Sequence, residues 1–162
     1  HRERAFALLY LGQYDAALAA YEKARDLNPR HADTLADRGD CLGASGEHAA
    51  GIRAMEDAIR LNPLCPDFYL WGLGAMKYQI GAYREAVDVL NGMGDISMAH
   101  RLPAADHAML GEAEGARPHA GALLTLFPDF TVRDWLHVVP NQRRMDVEHY
   151  AGGLLRAGLP RG

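Results

Sequence analysis

Leu27-Asn28-Pro29 returns 34 residues later as Leu61-Asn62-Pro63, and the residues leading into each copy return with it. Gly12 and Gly46 stand 17 residues before their proline, Ala17 and Gly51 stand 12 before, Tyr21 and Met55 eight before, and Ala24 and Ala58 five before. A glycine suits the end of one helix, a small residue lets a second helix pack closely against it, and a proline stops that second helix. Between the first glycine and proline, Ala17, Leu18, Tyr21, Ala24 and Leu27 recur at i, i+3, i+4 spacing, the amphipathic pattern of a helix. The period predicts stacked helix–turn–helix units, with Tyr21 and Leu27 filling the wedge toward the next unit and Ile52, Met55, Ile59 and Leu61 doing the same work one period later.

A 34-residue period of this kind is the signature of a tetratricopeptide array. The expected fold is all-α: a right-handed superhelix of antiparallel helix pairs, about four repeats with the last degenerate, closed by a C-terminal capping helix pair. The register divides a single domain into repeat one at 1–31 (truncated at its start), repeat two at 32–65, repeat three at 66–95, a degenerate repeat four at 96–129 and a cap at 130–162. After Pro63 the period slips by one residue, and Pro66 suits the first turn of the next helix. Gly81 and Gly111 continue the glycine position, the latter again 17 residues before a proline, Pro128. Pro103 falls inside a helix expected from Ile96 to Leu110 and predicts a kink there; Gly115 and Pro118 postpone the next helix to about Arg117. Thr131 with Asp134 reads as a capping-box-like start for a short helix holding Val132, Trp135 and Leu136, which Pro140 breaks. A last helix, from about Met145 to Arg156, presents Val147, Tyr150, Leu154 and Leu155 inward. Asp146, Glu148, His149 and Arg156 are expected on the polar outer face that a solenoid end requires.

The 162 residues are 49% hydrophobic, enough for a continuous core, and carry a net charge of −4 with a pI near 6.0. That balance argues against nucleic acid as a partner, because phosphate neutralisation needs a basic face. No apolar run is long enough to span a membrane within this segment. The two cysteines, Cys41 and Cys65, fit a reducing, cytoplasmic compartment and buried thiols. His1 is not an initiator Met and falls by register inside the first helix, as expected of the C-terminal part of a longer polypeptide.

The run Leu61 to Trp71 resembles the "NP-x-x-P-x-(W/F)-Y-x-W" repeat junction of a particular branch of tetratricopeptide proteins. Phe127-Pro128-Asp129-Phe130-Thr131-Val132 through Trp135, Asp146-Val147-Glu148-His149-Tyr150 and Ala157-Gly158-Leu159-Pro160 are similar to its closing segment. This ending is typical of bacterial class III adenylate/guanylate cyclase-like proteins and related winged-helix regulators. The resemblance implies a regulatory or scaffolding module behind an amino-terminal effector domain. It places no cyclase catalysis in this chain, since such catalysis needs aspartates on a βαβ-type domain.

No phosphate-binding loop or nucleophile motif is present, and Cys41 and Cys65 lack the spacing of a zinc or redox pair. His100 and His107 lie i, i+7, whereas a metal pair on one helix uses i, i+4. The sequence therefore predicts neither enzyme, cofactor nor metal. The candidate site is the concave groove lined by the first helix of each repeat. Its expected members, beside Arg2 and Phe6, are Tyr10 from repeat one, Asp33, Asp37 and Asp40 from repeat two, Phe68, Trp71, Tyr78 and Gln79 from repeat three, and Arg101 from repeat four. The acidic middle would repel a terminal carboxylate and favour a protein or peptide segment with basic and apolar side chains. A different role, self-association into a homodimer that joins upstream effector domains, is the alternative.

Overall fold

A computed structural model describes residues 2–139 and 141–162, with the side chain of Arg2 excepted. Among these residues there are ten helices and no strand: α1 (Arg2–Tyr10), α2 (Tyr14–Leu27), α3 (Ala32–Ser45), α4 (His48–Leu61), α5 (Asp67–Gln79), α6 (Tyr83–Leu90), α7 (Arg101–Met109), α8 (Ala113–Leu126), α9 (Val132–Leu136) and α10 (Arg144–Arg156). The first eight form four antiparallel pairs stacked side by side, as the period predicts.

The repeated residues make the same hydrogen bonds in each copy. Gly12, Gly46, Gly81 and Gly111 all have φ between 71° and 91°, the left-handed conformation that only glycine adopts without strain. The residue after each glycine bonds back to the carbonyl five before it, as in Glu47 N–H to Leu42 at 2.8 Å and Glu112 N–H to His107 at 2.8 Å, so the first helix of every pair closes in a Schellman motif. At the far end, Asn28, Asn62 and Phe127 are extended residues before a proline, and their N–H groups bond Ala24, Ala58 and Leu123. The motif is thus a backbone cap made three times. The exit from α6 has no such proline, and there the Asp67 carboxylate accepts the N–H groups of Gly94 and Asp95, each at 2.8 Å.

Within the second pair, α3 and α4 cross at Gly39 and Gly51: a Cβ on Gly51 would lie 2.8 Å from the Gly39 carbonyl oxygen. The core is segmental, with one apolar cluster around Tyr21 and Leu9, a second around Met55, Tyr69 and Met76, and a third around Tyr78, Leu123, Tyr150 and Leu154.

Several expectations are corrected. Leu27 is 71% and Leu61 41% exposed; each is the last residue of its helix, and the cap bond leaves its side chain outside the wedge that Tyr21 and Met55 fill. Residues 97–100 form a turn, so α7 begins at Arg101 and Pro103 sits in its first turn, where no intrahelical N–H is required; the kink has no cause. Helix α8 begins at Ala113, four residues earlier than expected, and carries Pro118 internally on an exposed face, where water can satisfy the freed carbonyl. Thr131 does cap α9, its hydroxyl accepting the Asp134 N–H at 3.1 Å. Pro140, expected to break that helix, lies outside the described residues.

The largest correction concerns the end of the chain. Helix α10 keeps Glu148 and Arg156 exposed as expected, but not Asp146 and His149. It folds back into the concave side and packs on α7, with further contacts to α5. Asp146 is buried and its Oδ2 lies 3.0 Å from His48 Nε2; His149 sits among Tyr78, Tyr83 and Gln79.

Candidate partner-binding chamber

Folding α10 inward converts the open groove into a chamber of about 740 Å³. One wall is α1, with Phe6 and Tyr10; the floor is α3 and α5, with Asp37, Asp40, Phe68 and Trp71; the opposite wall comes from the C-terminal segment, with Trp135, Val138 and Tyr150. Of the groove residues expected from the sequence, Phe6, Tyr10, Asp37, Asp40, Phe68, Trp71, Tyr78, Gln79 and Arg101 line it, and the side chain of Arg2 lies outside the described residues. Asp33 does not: its carboxylate accepts the Tyr69 hydroxyl at 2.6 Å, away from the chamber. Phe6, Tyr10 and Trp71 are in part open to solvent, whereas Tyr78 is fully enclosed.

The acidic floor is less negative than three aspartates imply. Asp37 and Asp40 are one turn apart on α3, with Asp37 only 7% exposed. Burial, together with the neighbouring Asp37 charge, pushes Asp40 up to about 8, so at neutral pH it largely keeps its proton. Its carboxylate lies against the bare Cα of Gly72, where any Cβ would collide with Oδ1.

Arg101 supplies the opposite charge. It is 5% exposed, its guanidinium carbon lies 3.8 Å from the centre of the Trp135 ring and 5.9 Å from that of Trp71, and it also interacts with the Tyr150 hydroxyl. Burial raises the Tyr150 pKa to about 12 against the lowering effect of Arg101. Stacking on two indoles holds the guanidinium in place and offsets part of its desolvation.

Tyr78, Gln79 and Arg101, expected to face a partner, are engaged within the chain. The Tyr78 hydroxyl donates to the His149 carbonyl at 3.0 Å and the Gln79 amide donates to the Asp146 carbonyl at 3.2 Å. The Tyr83 hydroxyl lies 2.7 Å from His149 Nε2, and Gln79 Oε1 lies 3.2 Å from Nδ1. These partners fit a neutral Nδ1–H imidazole, and burial lowers the His149 pKa accordingly. Two further ties run to the second repeat: Gln142 N–H to the Ala44 carbonyl at 2.8 Å, and Arg143 to Glu47 at 3.2 Å. Trp135, Val138, Val139, Asn141 and His48 were not legible as site residues, because they join the chamber only through the folding back of the C-terminal segment.

Two sequence models of the tetratricopeptide repeat match the chain, one over residues 1–31 and one over residues 37–94. No curated protein matches it at a significant level. Among solved structures, the crystal structure of MamA aligns with a TM-score of 0.66 at 18% identity, covering 90% of this chain and 87% of that one. The MamA RS-1 ArsTM double mutant aligns with a TM-score of 0.70 at 17% identity, covering 97% and 90%. At such identity the likeness shows the superhelical fold alone. With the four glycine-closed helix pairs, and with repeat matches that together span more than half of its length, the chain belongs to the tetratricopeptide repeat proteins.

Proposed function

We propose that the chain is a non-enzymatic protein–protein interaction module that holds a basic and apolar partner segment in the chamber between α1, α3, α5 and its own C-terminal segment. The observation that carries this reading is the lining: exposed Tyr10 and half-buried Trp71 above the acid pair Asp37 and Asp40, in a space of about 740 Å³. Aromatic side chains over a desolvated charged floor are the arrangement in which a few residues dominate binding energy. Phe68 extends the apolar wall, Asp33 steadies α5 through Tyr69, and Tyr78, Gln79 and Arg101 shape the chamber by holding α10 and Trp135. We read the chain as four repeats at 1–31, 32–65, 66–95 and 96–129 with a closing segment at 130–162. By the resemblance of its junction and ending, we assign it to the regulatory part of a larger bacterial cytoplasmic signalling protein; the free thiols of Cys41 and Cys65 agree with that compartment.

The test is capture of partners by the wild-type chain and by Tyr10→Ala and Trp71→Ala, each checked for unchanged helicity. Loss of the same partner in both variants supports the chamber; survival of every captured partner in both removes it. Self-association is the second reading, and the apolar side chain that bears on it is Leu11, 70% exposed in the turn between α1 and α2. Light scattering of wild type and Leu11→Asp decides it: a dimer that the charge dissociates supports it, and a monomeric wild type rejects it.

A further inference from the structure

His100 and His107, two turns apart on the sequence, do not face each other. His119 of α8 comes between them. Its Nδ1 is hydrogen-bonded to His100 Nδ1 at 3.0 Å, one ring donating and the other accepting, and its ring lies parallel to that of His107, within 13°, at a centroid separation of 6.1 Å. Gly115 makes the room, since a Cβ there would lie 2.5 Å from His107 Nδ1. His107 is committed elsewhere: its Nδ1 is 2.8 Å from Glu112 Oε2.

We propose that His100 and His119 form a binding site for a first-row divalent transition-metal ion, held in cis positions through both Nδ1 atoms and clipping the start of α7 to α8. Two nitrogens 3.0 Å apart, each about 2.0–2.1 Å from a common ion, subtend an angle of about 95° at it. That matches neighbouring positions of square or octahedral coordination, as with Ni²⁺ or Cu²⁺, and is narrower than a tetrahedral ion prefers. Among the described residues no third histidine, cysteine or carboxylate completes the group, so water fills the remaining positions. Coordination needs a lone pair on both Nδ1 atoms, so the ion replaces the proton that one ring shares with the other and both rings become Nε2–H tautomers.

The experiment uses the whole chain without a histidine tag, freed of metal by a chelator, and titrated calorimetrically with NiCl₂, ZnCl₂ or MgCl₂. The expected result is saturable one-to-one uptake of Ni²⁺, no uptake of Mg²⁺, and a rise in Tm on Ni²⁺ addition. His100→Asn and His119→Asn are each expected to weaken Ni²⁺ by about tenfold or more, while His137→Asn, at an exposed imidazole, leaves it unchanged. Absence of one-to-one uptake, or uptake unaltered in both site variants, overturns the proposal. Electron paramagnetic resonance of the wild-type chain with Cu²⁺ needs no variant to fold: coupling to two imidazole nitrogens is expected, and a spectrum without nitrogen coupling overturns it.

Discussion

Gly152 and Gly153 are neighbours on α10 with opposite surroundings, and alanine at each tests whether that helix is seated on the concave face. A methyl group at 152 meets nothing within 4 Å and should gain about 1 kcal/mol of helix propensity. At 153 the same methyl would collide with Tyr78 Oη, lie 3.0 Å from Tyr78 Cζ and 3.1 Å from Ala105 Cβ. Tyr78 has nowhere to swing. It is fully buried, its hydroxyl is bonded to the His149 carbonyl, and its ring is stacked on His149 at 4.7 Å and edge-on to Tyr83 and Tyr150 at 5.3 and 5.5 Å. Overpacking costs about 1–3 kcal/mol and a lost buried hydrogen bond about 1 more; the propensity gain offsets about 1. The net expectation is destabilisation by about 1–3 kcal/mol at 153 and stabilisation by up to about 1 kcal/mol at 152. Urea unfolding followed by circular dichroism reads the difference as midpoint shifts of opposite sign. In a chain of this length roughly 2–4 °C of Tm accompanies each kcal/mol. Gly153→Ala at or above wild-type stability would refute the placement of α10 against Tyr78.

Asp106 is fully enclosed, neither carboxyl oxygen has a hydrogen-bond partner among the described residues, and burial pushes its pKa up to about 8. The folded chain keeps a proton that the unfolded chain releases above about pH 4, so this group's contribution to stability falls between about pH 4 and pH 8 and is level beyond. Asp106→Asn should remove that part of the slope and stabilise the protein at pH 8 by on the order of a few kcal/mol; equal Tm differences between pH 5 and pH 8 in variant and wild type would sink the assignment. Pro118→Ala restores an N–H to the exposed interior of α8 and should raise stability by about 1–3 kcal/mol in urea unfolding, with no gain counting against a regular helix there. His48→Ala leaves the buried Asp146 carboxylate without its imidazole, at a cost of about 1–3 kcal/mol; hydrogen exchange should quicken in the first turns of α10, and unchanged exchange would show that the pair does not tie it down.

The array was legible because its signals are local. Gly12, Gly46, Gly81 and Gly111 each close a helix, and Asn28, Asn62 and Phe127 each cap one, so the backbone conformation is written beside the residue that needs it. The groove residues followed from the register, which is why Tyr10, Asp37, Asp40, Phe68 and Trp71 do line the chamber. Asp33 failed because one turn of helix separates a groove position from a contact with the next helix, and its acceptor was claimed by Tyr69. Proline penalties failed at Pro103 for want of one boundary: a helix starting at Arg101 makes harmless what a helix starting at Ile96 would have made a kink. The chamber's far wall was not legible, since contacts such as Tyr78 with His149 join residues 71 apart and nothing in either stretch names the other.

One local feature of the structure does bear on that wall. Arg101, Leu102, Pro103, Ala104, Ala105 and Asp106 are six consecutive buried residues, so α7 is covered on every side and has no polar stripe to turn toward an open groove. Its neighbours α6 and α8 cover two of its sides, and the concave side then needs a third helix. Ala105 keeps that side shallow, Gly153 is the complementary notch on α10, and the close approach of the two gives the third apolar cluster its depth. A solenoid closed by stacking would keep the full length of its groove; closing it by folding back sacrifices the groove over α7 and the later turns of α5. A long helix running through the whole concave face is therefore incompatible with this chain. What remains is the space over α1, α3 and the first turns of α5, with Tyr10 on one side and the Trp135 wall on the other, residues from opposite ends of the sequence brought to one chamber.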